Sequence, residues 1–302
     1  MLAIIIPYYK LTFFENTIAS LANQTDKRFK VYIGNDASPE DPQFLLDRYK
    51  GRFDLKYHRF EENLGGVSLV QQWNRCIAFA GEEEWVMILG DDDVLGINCI
   101  KDFYVNLPQI FINKCNVVRY ATIINDVIQQ TTSSPYTHPK LEKGLDFFYR
   151  RFTNQTRSSL SEYIFKKSIY QKYGFYDYEL AWHSDDRAML EFSELNNIYS
   201  INSSQVSFRL SDENISRGNY KNKEKQEVSL LFFRFVIFKF FFKFKLYQQK
   251  ELLLNYEQLV YKNRKVTLSF WFLLFRMFFR IGAVKQSVKF TRRVLIQLIK
   301  IR

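Results

Sequence analysis

Three carboxylates in a row, Asp91, Asp92 and Asp93, follow the apolar run 85–89 with only Gly90 between. Adjacent carboxylates repel one another. A hard divalent cation such as Mn²⁺ or Mg²⁺, which takes carboxylate, phosphate and water oxygens, would neutralise them. The same triplet also suits a solvated acidic loop that opens a helix, and the buried strand before it tips the reading toward a site. Asp36 holds a comparable place in Asn35-Asp36-Ala37-Ser38, a stretch that serves equally as turn and cap chemistry. A second acidic pair, Asp185-Asp186, follows Trp182-His183-Ser184. Such a pair offers a general base for an attacking hydroxyl, or plain first-turn capping of a helix. Trp182 reads as a stacking platform for a sugar ring or as a core residue. His183 reads as a loop histidine without a role.

These residues need elements to hold them. Residues 2–6 are a continuous aliphatic run stopped by Pro7, as in a strand buried on both faces of a parallel sheet. Strand-like runs at 29–34, 55–60 and 85–89 alternate with helical spacing at 14–23, 42–49 and 67–80, and Asn63-Leu64-Gly65-Gly66 reads as a loop. That alternation predicts an α/β fold with a mostly parallel, doubly wound sheet flanked by helices. Ligands of such sheets sit beyond the carboxyl ends of the strands, where Asp36 and Asp91–Asp93 fall. Farther on, 117–124 and 204–209 read as strands, and 144–152, 167–173 and 186–194 as helices. The polar stretch 211–226 marks a boundary between a first domain, 1–216, and a helical tail, 217–302.

Ile4-Ile5-Ile6-Pro7-Tyr8-Tyr9, Gly34-Asn35-Asp36-Ala37-Ser38, Asn63-Leu64-Gly65-Gly66 and Leu89-Gly90-Asp91-Asp92-Asp93 together resemble family two of the inverting GT-A glycosyltransferases. The likeness covers residues 1–216 and is to the branch that builds bacterial surface polysaccharides. It implies a Rossmann-like GT-A fold, a divalent cation (Mn²⁺ or Mg²⁺) and a nucleotide-sugar donor, usually a UDP-sugar. By the same resemblance Pro7 and Tyr8 lie under the nucleotide, Asp36 meets the base, Asp91 the ribose, and Asp92 the metal. Asp93 binds the metal through water or supports the loop. Gly90 stands where the family often has a first Asp. Asp186 would be the base, with Asp185 its neighbour or second candidate. Ser207–Ser216 resembles the segment that closes over the diphosphate, with Arg209 neutralising the leaving group or serving as a strand-end surface arginine. Ser211 replaces the family's usual histidine metal ligand, leaving Asp212 or a water. Glu162, after Arg157-Ser158-Ser159-Leu160-Ser161, and Trp182 would face the acceptor.

The net charge of +11 is unevenly spread over the 302 residues. Residues 217–302 hold 20 Lys and Arg against 4 acids, a charge of +16, whereas 1–216 hold 23 basic and 28 acidic groups. The tail is rich in Phe, but Arg234, Lys239, Lys243, Arg276 and Arg280 interrupt its apolar runs at 228–245 and 266–281. Neither run reaches the ~20 apolar residues of a spanning helix. Helices of this kind suit an anionic leaflet; a self-packed helical subdomain or a dimer interface is the alternative. An amphipathic helix is expected at 284–302. No RNA- or DNA-binding motif accompanies the basic residues, so nucleic acid is not an expected partner. Three cysteines without CxxC pairing favour a reducing cytosol, and residues 1–7 read as a first strand rather than a signal peptide.

The expected protein is therefore a peripheral enzyme on the cytoplasmic face of the cell membrane. It would move a sugar to a hydroxyl of a glycan or lipid-linked oligosaccharide, with oligomeric state left open. Two rivals are a catalytically inactive membrane-docked nucleotide-sugar-binding or scaffold protein and a nucleotidyltransferase. The second would want a Gly-rich loop after the first strand, where Pro7-Tyr8-Tyr9-Lys10 has no glycine.

Overall fold

The computed structural model describes residues 1–212, 221–263 and 267–300, with side chains through 296. The chain forms two compact units, Met1–Tyr220 and Lys221–Arg302. The boundary expected after residue 216 falls outside the described residues, as do Glu213–Ser216 of the diphosphate-closing segment, Val266, and residues 301–302 of the last expected helix.

The first unit opens with strictly alternating elements: β1 (Leu2–Tyr8), α1 (Phe14–Ala22), β2 (Phe29–Asn35), α2 (Gln43–Arg48), β3 (Asp54–Arg59), α3 (Leu69–Ala78) and β4 (Trp85–Ile88). It continues through β5 (Val94–Leu95), α4 (Cys99–Ile112), β6 (Val117–Asp126), β7 (Thr131–Thr132), β8 (Leu141–Lys143) and α5 (Gly144–Phe152). It ends with β9 (Tyr163–Lys166), α6 (Lys167–Tyr173), α7 (Ser184–Phe192) and β10 (Asn197–Leu210). The main sheet order is β3-β2-β1-β4-β9-β6-β10-β5, with β7 on β6 and β8 on β10. The β3-β2-β1-β4 half is parallel, and β9 runs antiparallel to both β4 and β6. This is a mixed sheet flanked by helices, with the antiparallel β9 at the point where chain order breaks.

β1 is apolar throughout because both of its edges and both of its faces are covered. Leu2, Ile4 and Ile6 pack with Phe14, Ile18, Ile100 and Phe103 on one side, and Ala3 and Ile5 with Val70, Ile77, Met189 and Phe192 on the other. The edge strand β3 instead alternates half-buried Leu55 and Tyr57 with exposed charges. α3 starts where Ser68 caps it by accepting from the Gln71 amide at 3.1 Å.

Several elements differ from the sequence reading, three of them with a clear physical reason. α4 was not anticipated; its buried stripe of Cys99, Ile100, Phe103 and Ile110 is interrupted by Pro108 inside the helix. β10 begins at Asn197 rather than 204, because a register shift between Ile201 and Gln205 carries polar Asn202 and Ser203 through the strand. α7 begins at Ser184, so Asp185 and Asp186 both lie in its first turn.

The described residues of the second unit form four α-helices, α8 (Asn222–Phe240), α9 (Leu246–Lys262), α10 (Leu268–Arg280) and α11 (Val284–Lys300), each packed on the next in the chain. α9, too, was not anticipated. Phe232, Phe240, Phe270, Phe278 and Phe290 are buried, so much of the aromatic content is internal. Arg293 clasps Glu257 with bonds of 2.6 and 2.7 Å, tying α11 to α9. Among the described residues no helix is long and apolar enough to cross a membrane.

Candidate active site

The carboxyl ends of β1, β2 and β4 open on a cavity of about 600 Å³. Pro7, Tyr9, Lys10 and Phe13 line it from the end of β1, Asp36 from β2, and Gly90, Asp91 and Asp92 from β4. Asn63, Gly65, Gly66, Leu69 and Trp73 close one side; Ser159, Leu160, Ser161 and Phe208 close another. The topology thus brings Pro7, Asp36, Asp91 and Asp92, distant in sequence, around one space.

The acidic loop is fixed from several directions. Asp91 Oδ2 accepts from the Tyr9 and Lys10 amides at 2.8 and 2.9 Å. Asp93 Oδ1 accepts from the Arg209 amide at 3.0 Å. Thr17 Oγ1 donates to the Asp91 and Asp93 carbonyls, and Ser161 Oγ accepts from the Gly90 amide at 3.0 Å. Burial pushes the Asp91 carboxyl up to about 6 against the pull of the two amides. Burial and then the Asp92 charge push Asp93 up to about 7.

Carboxylates under such strain gain from a cation, and Mg²⁺ and Mn²⁺ sites commonly need one or two carboxylates plus substrate phosphates. Asp92 on the lining with Asp93 behind it supplies such a set. Among the described residues no three His, Cys, Asp or Glu converge on a preformed centre. The residues therefore fit a cation shared with a diphosphate, not one enclosed by protein.

At the other end, Asp36 accepts from the Leu64 and Gly65 amides, both at 2.8 Å, and pairs with Arg75. A carboxylate has about four acceptor positions, so one is left for a donor such as a base N–H. Gly65 is required here: a Cβ on it would lie 2.5 Å from Asp36 Oδ2. Gly65→Ala is expected to displace that carboxylate and raise the donor KM about tenfold, as read in donor-saturation kinetics; an unchanged KM would remove Asp36 from the donor site.

The geometry sets several of the expected residues off the cavity lining. Tyr8 does not line the cavity; its ring packs on Phe14 at 4.5 Å and its hydroxyl donates to the Glu40 carbonyl. Tyr9 takes its place on the lining. Glu162 is not on the lining. It is wholly buried, accepts from the Ser159 amide and hydroxyl at 3.1 and 3.3 Å, and lies 3.7 Å from Arg157. Arg209 is also off the lining: its guanidinium lies 4.2 Å from the Phe13 ring, and Nε donates to the Asp92 carbonyl at 3.0 Å. It holds the acidic loop rather than opening onto the cavity. Ser211, in the family's histidine position, is buried.

Burial pushes the Glu162 carboxyl from 4.5 up to about 7, against the opposing charges of Arg157 and Arg119. A carboxyl whose folded pKa is raised costs stability once it ionises, so this loss grows as pH rises from about 4.5 through about 7. Glu162→Gln is expected to shrink the stability difference between pH 5 and pH 8 by about 2 kcal/mol. Denaturant melts at the two pH values check it, and an unchanged difference would count against the assignment.

Trp182, Asp185 and Asp186 are not on the cavity lining. Asp186 Oδ2 lies 2.8 Å from His183 Nδ1, and Oδ1 lies 3.9 Å from Arg151 Nε. Burial alone would raise Asp186, but the His183 bond and the Arg151 charge outweigh it and hold the carboxyl below its ordinary value. Burial, then the Asp186 charge, pushes Asp185 up to about 6. His183 therefore has a role the sequence did not show, as a partner for Asp186. Leu180, Ala181 and His183 all take left-handed φ, of 60°, 52° and 65°. Such strain in non-glycine residues persists only where the surroundings enforce it, and it clusters at functional sites.

Two contacts tie the cavity lining to segments that precede α7. Trp73 of the lining packs edge-on against Phe175, 5.5 Å away in the segment that leads to α7. The Tyr163 hydroxyl meets Ser158 at 2.8 Å, beside Ser159 of the lining, and its proton affinity is raised by burial, Glu162 and Asp186. Tyr9, Lys10, Trp73, Ser161 and Phe208 were not singled out from sequence. Only Lys10 carried a signal, its place directly after Pro7-Tyr8-Tyr9 at a strand end.

A parallel half-sheet ending in a nucleotide-sized cavity edged by a strand-end carboxylate run is the arrangement of a GT-A-type glycosyltransferase. Residues 3–175 match the Glycosyl transferase family 2 model, and the chain belongs to that family. The fold is similar to that of S. aureus TarS residues 1–349 in complex with UDP-GlcNAc, at 16% identity, TM-score 0.65, over 93% of this chain and 80% of that one. It is also similar to the same TarS fragment with UDP, at 19% identity, TM-score 0.56, over 86% and 80%. GalNAc-T7 with UDP, GalNAc and Mn²⁺ matches at 10% identity, TM-score 0.52, over 76% and 47%. No curated protein sequence matches the chain.

Proposed function

We propose that this glycosyltransferase moves a sugar, with inversion, from a UDP-sugar to a hydroxyl of a glycan or lipid-linked oligosaccharide at the cytoplasmic face of the cell membrane. The observation that carries the reading is the joint placement of Asp36, Asp91 and Asp92 around one cavity. The UDP-GlcNAc held by one solved relative and the Mn²⁺ held by another support the donor and the cation.

In this reading Pro7 and Tyr9 floor the nucleoside, Asp36 accepts from the base, and Asp91 from the ribose. Asp92, with Asp93 behind it, holds Mn²⁺ or Mg²⁺, which when bound offsets the charge of the diphosphate. Lys10 adds positive charge on the lining. Arg209 acts by keeping Asp92 and Asp93 in place. As the acceptor oxygen bonds to the anomeric carbon, the bond to the diphosphate breaks and the diphosphate leaves with its electron pair. Asp186 takes the hydroxyl proton, with Asp185 as the second candidate, and Trp182 offers the acceptor an aromatic face. Membrane location is supported by the +16 charge of residues 217–302.

Thermal melts against a panel of nucleotide-sugars test the reading. One UDP-sugar is expected to stabilise the protein by about 2.7 kcal/mol at a hundred times its Kd, and only with Mn²⁺ or Mg²⁺ present. If no nucleotide-sugar stabilises it under any metal condition, the inactive-scaffold reading replaces this one.

A further inference from the structure

Along α10, exposed Leu268, Phe272 and Phe279 and half-exposed Phe275 recur at i, i+4, i+11 and i+7, forming one helical stripe. Along α11, Val284, Val288 and Leu295 repeat that spacing. Leu268, Phe272 and Phe279 are 67%, 62% and 63% exposed, well beyond half for large apolar side chains that cluster. An apolar groove of about 400 Å³ runs between the two helices, lined by Phe275, Val288, Thr291, Arg292, Leu295 and Ile296.

The charges on these helices have one sign. Arg276, Arg280, Lys285, Lys289 and Arg292 are exposed, and no acidic residue occurs after Glu257. A second copy of the same face would bring cations against cations. A nucleic acid would use the cations but leave Leu268, Val284, Val288 and Leu295 in water. An anionic bilayer satisfies both features at once: apolar side chains enter the headgroup–acyl boundary while long cationic side chains reach lipid phosphates.

We propose that the α10–α11 face docks this protein on an anionic lipid surface, with Phe272 and Phe279 inserted and Arg276, Arg280, Lys285, Lys289 and Arg292 on the headgroups. This deepens the membrane location proposed above and rests on that part of the reading alone.

Vesicle flotation of the full chain tests it, comparing neutral phosphatidylcholine vesicles with vesicles containing a quarter phosphatidylglycerol. The protein is expected to float with the anionic vesicles only, and less at high salt. The double variant Phe272→Ser/Phe279→Ser is expected to lose at least tenfold in partitioning, with its melting temperature and UDP binding unchanged. Retained UDP binding separates a failed docking face from a failed donor site. Absence of flotation, or flotation equal in the variant, overturns the proposal. So does a dimer in light scattering that the variant dissociates, or binding of the face to RNA in place of vesicles.

Discussion

Asp186→Asn is expected to lower kcat by ~10²- to 10⁴-fold, the usual contribution of a positioned general base, while leaving UDP affinity unchanged. The side chain removed is one that the fold prepares with care. His183 and Arg151 keep its carboxylate ionised, and the strained Leu180–His183 segment sets the start of its helix. Asp185 gives a distinguishable alternative through pH. Because Asp186 is held below the ordinary carboxylate range, kcat should stay level as pH falls past 6 if Asp186 is the base and bound donor and metal keep Asp91 and Asp93 ionised. If Asp185 is the base, kcat should fall as pH drops through about 6, where that group takes up a proton. Single-turnover rates at saturating donor and metal decide between them. Full activity in Asp186→Asn would transfer the role to Asp185 or remove it from α7 altogether.

Asp92→Asn is expected to lower kcat/KM by about 10³-fold, since the cation's charge stabilisation is worth several kcal/mol. The Asp91 and Asp93 carboxylates, Thr17 and Ser161 still anchor the loop in that variant. Asp91→Asn should behave differently. It weakens the acceptor of the Tyr9 and Lys10 amides, so the melting temperature should drop together with donor affinity. Steady-state kinetics paired with thermal melts separate these two outcomes. A loss of stability in Asp92→Asn with kcat/KM intact would reverse the division of labour within the triplet.

The parallel half of the sheet was legible because β1, β2 and β4 are buried on both faces and read as unbroken apolar runs. The acids at their ends were legible for the same reason. Tyr8 and Tyr9 were not separable, because which of two adjacent residues faces the cavity depends on where the strand stops, and β1 continues through Tyr8. The burial of Glu162 had a signal: Ser159-Leu160-Ser161-Glu162 has capping-box spacing, and the structure closes that box. The partnership of His183 with Asp186 needed the turn geometry before α7, which no periodicity encodes. Pro108 hid α4, and the register shift in β10 hid half of that strand. In the tail, cations placed among phenylalanines gave no clean period, so inward Phe232 and Phe278 could not be told from outward Phe238 and Phe272.

The central claim is that the cavity between Asp36 and Asp92 takes a nucleotide through a cation. Calorimetric titration of UDP into the full chain, with and without Mn²⁺, tests it most directly when repeated on Asp92→Asn. Binding should require Mn²⁺ in the native protein and lose that requirement, or vanish, in the variant. UDP binding that is equally tight without metal and in Asp92→Asn would contradict the claim.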